Sequence, residues 1–366
     1  MNSRTLKNID WTLIFLTLTI SVYGIFAIYS AKGGGSVGAA FAQRQLMTIV
    51  VGLLILAAAA ALDDNVLLRI SGWLYWLNVG MLFLVDIMGD SSKGAQRWLD
   101  LGIIQIQPSE PAKVVIIITL AAFFIRHFDE IRELRTVLLS LVHMGLPLLL
   151  IFKQPDLGTA LVFCAIWAGI ALAAGVRIKH IAALALAGIL LFSVAWQTNI
   201  IKPYQKQRLS SFMNPEADPR GSGYHVRQSK IAIGSGQVSG KGFLHGTQSQ
   251  LDFIPEQHTD FIFTVVGEEL GFVGSAALVI LYWGLIYRII ATMQSTEERL
   301  GRMIAGGVAA MVLFHVFVNI GMTLQIMPVT GLPLPLFSYG RSNLVASMAA
   351  LGLTLGVYAR RHRITF

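Results

Sequence analysis

The feature that most constrains this chain is its series of long apolar runs. Several of them reach the roughly 20 residues that a helix needs to cross the hydrocarbon core of a bilayer. Inside that core every backbone N–H and C=O must be satisfied by the protein itself, so only helices and closed β-barrels can span it. Runs such as Ile181–Val194 lack the alternation that barrel strands show. The sequence therefore predicts transmembrane helices.

The composition supports a membrane protein, because only 13% of the 366 residues are charged, against about 25% in a soluble domain. The predicted fold class is an all-α polytopic membrane protein with about ten transmembrane helices. One large extracytoplasmic loop, 198–262, lies between helices seven and eight. We take residues 1–366 as a single transmembrane domain that includes this loop. The predicted helices are 11–31, 46–62, 73–88, 111–125, 137–152, 157–175, 180–197, 263–291, 302–324 and 342–359.

Basic residues are distributed unevenly along the chain. The formal net charge of +8 would raise nucleic acid as a partner in a soluble protein. No Lys/Arg-rich run is interleaved with aromatic residues, however, so we expect no nucleic-acid partner. The alternate short connections that are richer in Lys and Arg, together with both chain ends, are expected on the cytoplasmic side. This predicts a multi-pass protein with both termini cytoplasmic and loop 198–262 outside.

Polar clusters gather in the connections predicted on the extracytoplasmic side. The even-numbered connections hold only simple charged residues, whereas four odd-numbered ones hold mixed polar motifs that lead into helices. This asymmetry predicts one site, facing away from the cytoplasm. The clusters are Ser92–Trp98 with Gln107–Lys113 in the third connection, Lys153–Thr159 in the fifth, Pro255–Phe261 in the seventh and Pro333–Ser342 in the ninth.

Acidic residues at predicted helix starts are the main catalytic candidates. Asp260 stands in a His258-Thr259-Asp260 run at a position for an N-cap, and a carboxylate at the mouth of a membrane cavity is costly unless it is used. It could accept a proton from a hydroxyl group. For Asp156 a plain N-cap stays an equal alternative. For Glu110 and Lys113, three residues apart on one helix face, a structural ion pair stays open beside a role in the site.

No cofactor is certain from the sequence, although a divalent cation stays open. His258 shares the long loop with His225 and His245, but no second histidine falls at metal-ligand spacing. The Gly-rich stretch 234–242 does not sit between a strand and a helix, so we interpret it as loop turns. Basic residues of the loop, such as Arg208, suit a phosphate or diphosphate group, with ordinary solvated charge as the alternative.

Together these motifs resemble the SEDS family (shape, elongation, division and sporulation) of bacterial cell-wall glycosyltransferases. The resemblance covers nearly the whole chain. The residue sequence of Gly246–Ser249 favours the elongation branch of the family over the division branch. The matching stretches are Lys93–Leu99, Gln107–Glu110, Gln154–Thr159, Gly223–His225, Gln228–Gly236, Lys241–Gln248 and His258–Phe263.

The resemblance implies ten spans in the bacterial cytoplasmic (inner) membrane. It implies polymerisation of lipid II into peptidoglycan strands during cell elongation and shape maintenance, with undecaprenyl diphosphate leaving. It also implies a class B penicillin-binding protein as the transpeptidase partner. Asp260 is the expected catalytic base. The expected supporting or substrate-binding residues are Glu110, Lys113, Asp156, Arg97, Arg208, His258, Ser338 and Ser342, with no metal ligand among them.

One position departs from the family pattern. The family has a second glycine where this chain has Arg341, in the run Ser338–Ser342. If that glycine serves a positive φ, Arg341 strains the turn; if it does not, Arg341 adds a cation near the site. Two rival functions also stay open, namely a lipid II flippase and a non-catalytic scaffold for a transpeptidase. A flippase would need polar residues through to both membrane faces, whereas a scaffold would not need Asp260.

Overall fold

The computed structural model describes residues 9–92, 95–100, 105–198, 206, 212–213, 222–250, 253–254 and 256–361. The described chain is mostly helical. The helices are α1 (Trp11–Ala31), α2 (Gly35–Ala61), α3 (Asp64–Met88), α4 (Ser109–Arg126), α5 (Leu134–Lys153), α6 (Leu157–Ala174), α7 (Ile178–Gln197), α8 (Ser222–Ser235), α9 (Thr247–Gln250), α10 (Ile262–Glu269), α11 (Gly271–Ser295), α12 (Arg299–Thr323) and α13 (Arg341–Arg360). A short 3₁₀ turn, Phe128–Glu130, follows α4.

Within the described residues, nine helices are long and apolar enough to span a membrane, by length and composition: α1, α2, α3, α5, α6, α7, α11, α12 and α13. The predicted tenth span is α4, an 18-residue helix. It carries Glu110, Lys113 and Arg126, which lower its apolar character. Thirteen of its 18 residues, Glu110 and Lys113 among them, are nonetheless buried, so these two charges need partners within the protein.

A small antiparallel sheet connects α3 to α4, where no strand was predicted. Its strands are β1 (Asp90–Ser92), β2 (Ala95–Asp100) and β3 (Gln105–Ile106), in the order β1-β2-β3. The register pairs Leu99 with Ile106. The pairing satisfies backbone groups of a segment that lies outside the helices.

The predicted helix 263–291 is wrong as a single element, because it divides into α10 and α11. The break falls at Leu270 and Gly271, where Gly271 has φ +63°. A Cβ at Gly271 would overlap the backbone of Gly240, a residue that itself has φ +79°. The backbones at Gly240 and Gly271 therefore lie in direct contact, which only residues without a side chain permit. The loop prediction for 198–262 is also incomplete, since α8 and α9 form within it.

The helices pack as one bundle whose centre is α12 and α13. These are the most enclosed of the candidate spans, with 67% and 72% of their apolar windows buried. The last helix packs along α2, where a Cβ at Gly352 would collide with the backbone of Leu56. α7 lies at the periphery and has no buried residue.

Ion pairs close the end of the bundle where α1 begins and α13 ends. Arg288 at the end of α11 binds Asp10 at the start of α1, with 2.7 Å between Nη2 and Oδ2, and its guanidinium lies 5.6 Å from the Tyr358 ring of α13. Arg360 binds Asp64 at 2.8 Å. The starts of α1 and α3 and the ends of α11 and α13 therefore share one end of the molecule.

Candidate active site

A polar cavity of about 490 Å³ opens at the opposite end of the bundle. All four polar clusters picked out in the sequence contribute to its wall, so the prediction that they share one end of the molecule agrees with the geometry. Its lining residues are Arg97, Trp98, Gln105, Gln107, Glu110, Asp156, Thr159, Glu256, Thr259, Asp260, Thr330, Gly331, Leu332, Pro333, Tyr339, Gly340, Ser342 and Asn343.

Three helices begin at this cavity, namely α4, α6 and α13. Glu110 lies on the first turn of α4, Asp156 is the N-cap of α6, and Ser342 lies on the first turn of α13. A helix N-terminus carries unpaired N–H groups and a partial positive charge. The three ends therefore offset the carboxylates of the wall, and they favour an anionic group in the cavity.

Glu110 and Lys113 form a buried ion pair below the cavity wall. The distance from Lys113 Nζ to Glu110 Oε2 is 2.8 Å, and the two residues are 1% and 3% exposed. Asn343 Nδ2 of α13 donates to the same oxygen at 3.0 Å. Lys113 Nζ also lies 3.0 Å from His315 Nε2 of α12. Glu110 lines the cavity, whereas Lys113 is enclosed and does not.

Asp156 is fully engaged as a helix cap. Its Oδ1 accepts from the Thr159 backbone N–H at 3.1 Å, and its Oδ2 accepts from the Thr159 hydroxyl at 3.0 Å. Arg97 of β2 approaches the same carboxylate at 4.0 Å and donates to the carbonyls of Gln154 and Pro155. Arg97 thereby fixes the small sheet to the start of α6, and Asp156 serves chiefly to shape the wall.

Asp260 lies in the turn before α10, although not at its N-cap as predicted. The N-cap is Phe261, which has no side-chain cap, and α10 begins at Ile262. Asn319 Nδ2 of α12 donates to the Asp260 carbonyl at 2.8 Å and to the Leu332 carbonyl at 2.7 Å. A Cβ added at Gly331 would lie 3.2 Å from Asp260 Oδ2. The carboxylate is therefore held against the segment that precedes α13.

His258 and Ser338 do not line the cavity but contact residues of its wall. The His258 ring lies 5.5 Å from both Tyr339 and Phe41, and its carbonyl accepts from the Tyr339 N–H at 2.9 Å. The Ser338 hydroxyl accepts from the Leu334 N–H at 2.9 Å, while Gln45 donates to the Ser338 carbonyl at 3.1 Å. Both residues fix Tyr339, which does line the cavity.

Arg341 does not strain the turn before α13. The positive φ values among non-glycine residues do not include Arg341, and Gly340 has φ 168°, an extended conformation open to any residue. Of the two alternatives for this departure, the structure supports the added cation. Arg341 is exposed at the first position of α13, beside the lining residues Gly340 and Ser342.

Glu268 and Glu269 lie outside the cavity and hold the Gly-rich segment of the long loop. Glu268 accepts from Lys241 at 2.8 Å and from the Ser249 N–H at 3.0 Å. Glu269 accepts from the Ser30 hydroxyl at 2.6 Å. Neither carboxylate is among the residues that line the cavity with Asp260.

The pKa of Glu268 is lower than usual, although burial acts to raise it. Hydrogen bonds from Lys241 and from the backbone of Gln248 and Ser249 outweigh burial and favour the charged form. Because α10 is too short to be one of the candidate spans, these hydrogen bonds to Glu268 belong to the loop region. A charged Glu268 fastens residues 241–249 to the end of α10.

The structure brings five of the predicted site residues to the cavity wall: Arg97, Glu110, Asp156, Asp260 and Ser342. Lys113, His258 and Ser338 contact those residues or their neighbours. Arg208 lies outside the described residues. Three contributors were missed, namely His315, Asn319 and Asn343, and the available signal was a polar side chain within an apolar span.

No group of three metal-ligating side chains occurs in the part of the chain that the structure describes. Four acidic side chains and one arginine line the cavity there. A divalent cation thus stays an open expectation.

Comparisons with known proteins agree with this arrangement. A family model described as cell cycle protein, FtsW/RodA/SpoVE, matches residues 10–363. The peptidoglycan glycosyltransferase MrdB of Escherichia coli K12 is 40% identical over 358 residues, covering 98% of this chain and 95% of that protein. The peptidoglycan glycosyltransferase RodA of Treponema pallidum is 32% identical and covers 99% of this chain and 100% of that protein.

Solved structures match over nearly the whole chain. One, described as structural coordination of polymerization and crosslinking by a peptidoglycan synthase complex, has a TM-score of 0.82 at 31% identity, covering 97% of this chain and 99% of that one. The rod shape determining protein RodA of Thermus thermophilus has a TM-score of 0.71 at 29% identity, covering 97% and 98%. The predicted likeness to the elongation branch is confirmed. The chain is a multi-span membrane protein that belongs to the FtsW/RodA/SpoVE family of cell cycle proteins.

Proposed function

We propose that this chain is a peptidoglycan glycosyltransferase that polymerises lipid II into glycan strands during cell elongation, with Asp260 as the general base. The observation that carries the proposal is one cavity in which four polar clusters, separated in the sequence, meet with Asp260 in the wall. The names of the MrdB and RodA relatives support the same activity.

The proposed reaction joins two lipid-linked sugars. The hydroxyl oxygen of one sugar forms a bond to the anomeric carbon of the other, and the bond from that carbon to the diphosphate oxygen breaks. The hydroxyl proton passes to the Asp260 carboxylate, and undecaprenyl diphosphate leaves with the bonding electrons. General base catalysis of this kind contributes ~10²–10⁴-fold in rate.

Residues around Asp260 have supporting roles in this proposal. The N-termini of α4, α6 and α13, together with Arg97 and Arg341, favour the negative charge that develops on the diphosphate. Arg208 of the long loop stays a further candidate for that role. Lys113 is instead assigned to the ion pair with Glu110, because its ammonium group is enclosed below the wall.

The first prediction concerns Asp260. Asp260→Asn keeps the size of the side chain and removes the base, so polymerisation of lipid II by the purified protein in liposomes should fall ~10²–10⁴-fold. Lipid II binding and thermal stability should stay near those of the wild type. Asp129→Asn makes the same change in the exposed 3₁₀ turn at the far end of the bundle and should leave activity unchanged.

Near wild-type polymer from the Asp260→Asn variant would refute the general-base assignment. Lipid scrambling without polymer from the wild-type protein would instead favour a flippase. Polymer from the wild type, combined with its loss in the Asp260 variant, excludes a pure scaffold.

We also propose that the whole chain acts as one transmembrane domain and that its partner is a class B penicillin-binding protein. The support is the matching structure described as a synthase complex that coordinates polymerization and crosslinking. On co-expression the two proteins should co-purify, and the complex should polymerise faster than the isolated chain. Separate elution, with identical rates for the isolated and mixed proteins, would count against the partner.

A further inference from the structure

His315 lies within α12, directly below the cavity, and is 1% exposed. Its Nδ1 lies 2.8 Å from the Met311 carbonyl, and its Nε2 lies 3.0 Å from Lys113 Nζ. A carbonyl can only accept, so Nδ1 carries the proton. An ammonium group can only donate, so Nε2 is the acceptor. Its two contacts therefore fix His315 as one neutral tautomer, with its lone pair directed at Lys113.

Lys113 is held by this lone pair as well as by its counterion. Glu110 Oε2 accepts from Lys113 at 2.8 Å on one side, and His315 Nε2 accepts at 3.0 Å on the other. With 1% exposure, the ammonium group draws its hydrogen bonding from the protein, and a buried donor without an acceptor is costly. His315 thereby sets where the charge of Lys113 sits.

The position of Lys113 in turn decides how Glu110 faces the cavity. Lys113 and Asn343 both donate to Oε2, at 2.8 and 3.0 Å. All the hydrogen bonds that described residues make to this carboxylate end on Oε2, and Glu110 lines the cavity. Oε1 is therefore the oxygen available to a bound molecule.

We infer that His315 is a positioning residue of the cavity: through Lys113 it orients Glu110 so that Oε1 accepts a hydrogen bond from a hydroxyl or amide N–H of the sugar substrate. The inference rests on the proposed function and adds to it a sugar-binding contact in the cavity that also holds the general base. Three helices meet at this contact, since Glu110 and Lys113 come from α4, His315 from α12 and Asn343 from α13. A shift of about 1 Å at such a contact can cost ~10²-fold in rate.

The test compares two substitutions at one position. His315→Leu introduces an apolar side chain of similar bulk and removes the acceptor, and lipid II polymerisation (kcat/KM in proteoliposomes) should fall about 10- to 100-fold. His315→Gln restores an acceptor oxygen and should recover activity to within about 5-fold of the wild type. His143→Leu changes a half-buried histidine of α5 that stacks on Tyr75 and should stay within about 3-fold.

If His315 only fills space in the packing, the opposite result is expected, because a leucine at this position then supports activity at least as well as a glutamine. Equal activity of the Leu and Gln variants, or wild-type activity of the Leu variant, would overturn the inference. A wild-type protein that makes no polymer would contradict the proposed function instead.

A stability measurement tests the coupling without any substrate. His315→Leu should lower the Tm in detergent, and this decrease should disappear when Lys113→Met and Glu110→Gln are already present, since no ammonium group then needs the acceptor. The same decrease in both backgrounds would show that His315 does not act through Lys113, and would overturn the inference.

Discussion

A single amide joins the turn that carries the proposed base to the neighbouring segment of the cavity wall. Asn319 is fully buried on α12, and its Nδ2 donates to the carbonyls of both Asp260 and Leu332. The bonds connect the turn before α10 with the segment before α13, and the Asp260 carboxylate lies against Gly331 of that segment. The orientation of Asp260 thus depends on a residue about sixty positions further along the chain.

Removing this amide should misplace the base. Asn319→Ala leaves the carbonyls of Asp260 and Leu332 without this donor, which costs about 1–3 kcal/mol for a buried group such as the Leu332 carbonyl. We expect a lower Tm and a loss of polymerisation of up to ~10²-fold, since catalysis depends on sub-ångström placement. Thermal unfolding and the liposome assay measure the two effects.

Asn78 provides a matched control on α3. It is 1% exposed, and neither of its side-chain polar atoms has a hydrogen-bond partner within the described residues. Asn78→Ala therefore removes the same amide without breaking a bond, and activity should stay near that of the wild type. If both alanine variants lose activity to the same degree, the Asn319 hydrogen bonds do not explain the effect.

At the scale of elements, the helices could be predicted because each apolar run has to satisfy its own backbone in lipid. The break between α10 and α11 could not, since apolar residues continue on both sides of Gly271. Its cause is the approach of Gly240 from the long loop, a tertiary contact with no local signal. The strands near 90–106 were missed for a related reason, as β3 has only two residues and gains its structure from pairing.

The same limit applies to the site. Alternating connections end on alternating sides of a membrane, so the sequence could predict that the four polar clusters face one way. His315 and Asn319 stand inside an apolar run, and which neighbours they meet depends on the rotation of α12. For Asp156 the sequence left two alternatives open, a plain N-cap and a role in the site. Only the structure shows that both carboxylate oxygens accept hydrogen bonds from Thr159.

At the scale of the whole molecule, the two ends of the bundle differ in chemistry. Ion pairs close the end that holds the starts of α1 and α3, and the polar cavity opens at the other. We propose that the cavity is extracytoplasmic and that both termini are cytoplasmic, following the distribution of Lys and Arg in the short connections.

Labelling of single cysteines tests this orientation. With Cys164 replaced by alanine, Val238→Cys lies on the exposed surface of the loop, and Glu130→Cys lies in the 3₁₀ turn at the far end. In intact cells a membrane-impermeant thiol reagent should label position 238 and leave position 130 unlabelled until the membrane is opened. Labelling of position 130 alone in intact cells would show the opposite orientation. The cavity would then face the cytoplasm, which contradicts the proposed extracytoplasmic site.

The i,i+3 pair of Glu110 and Lys113 has a consequence for the order in which the protein is made. Asn343, which completes the binding of Glu110, lies 233 residues further along the chain, so α4 enters the membrane long before α13 has been synthesised. A helix with a lone buried charge would resist insertion during that interval. Because Lys113 lies one turn from Glu110, α4 brings its own counterion into the bilayer and keeps the carboxylate neutralised until the rest of the cavity arrives.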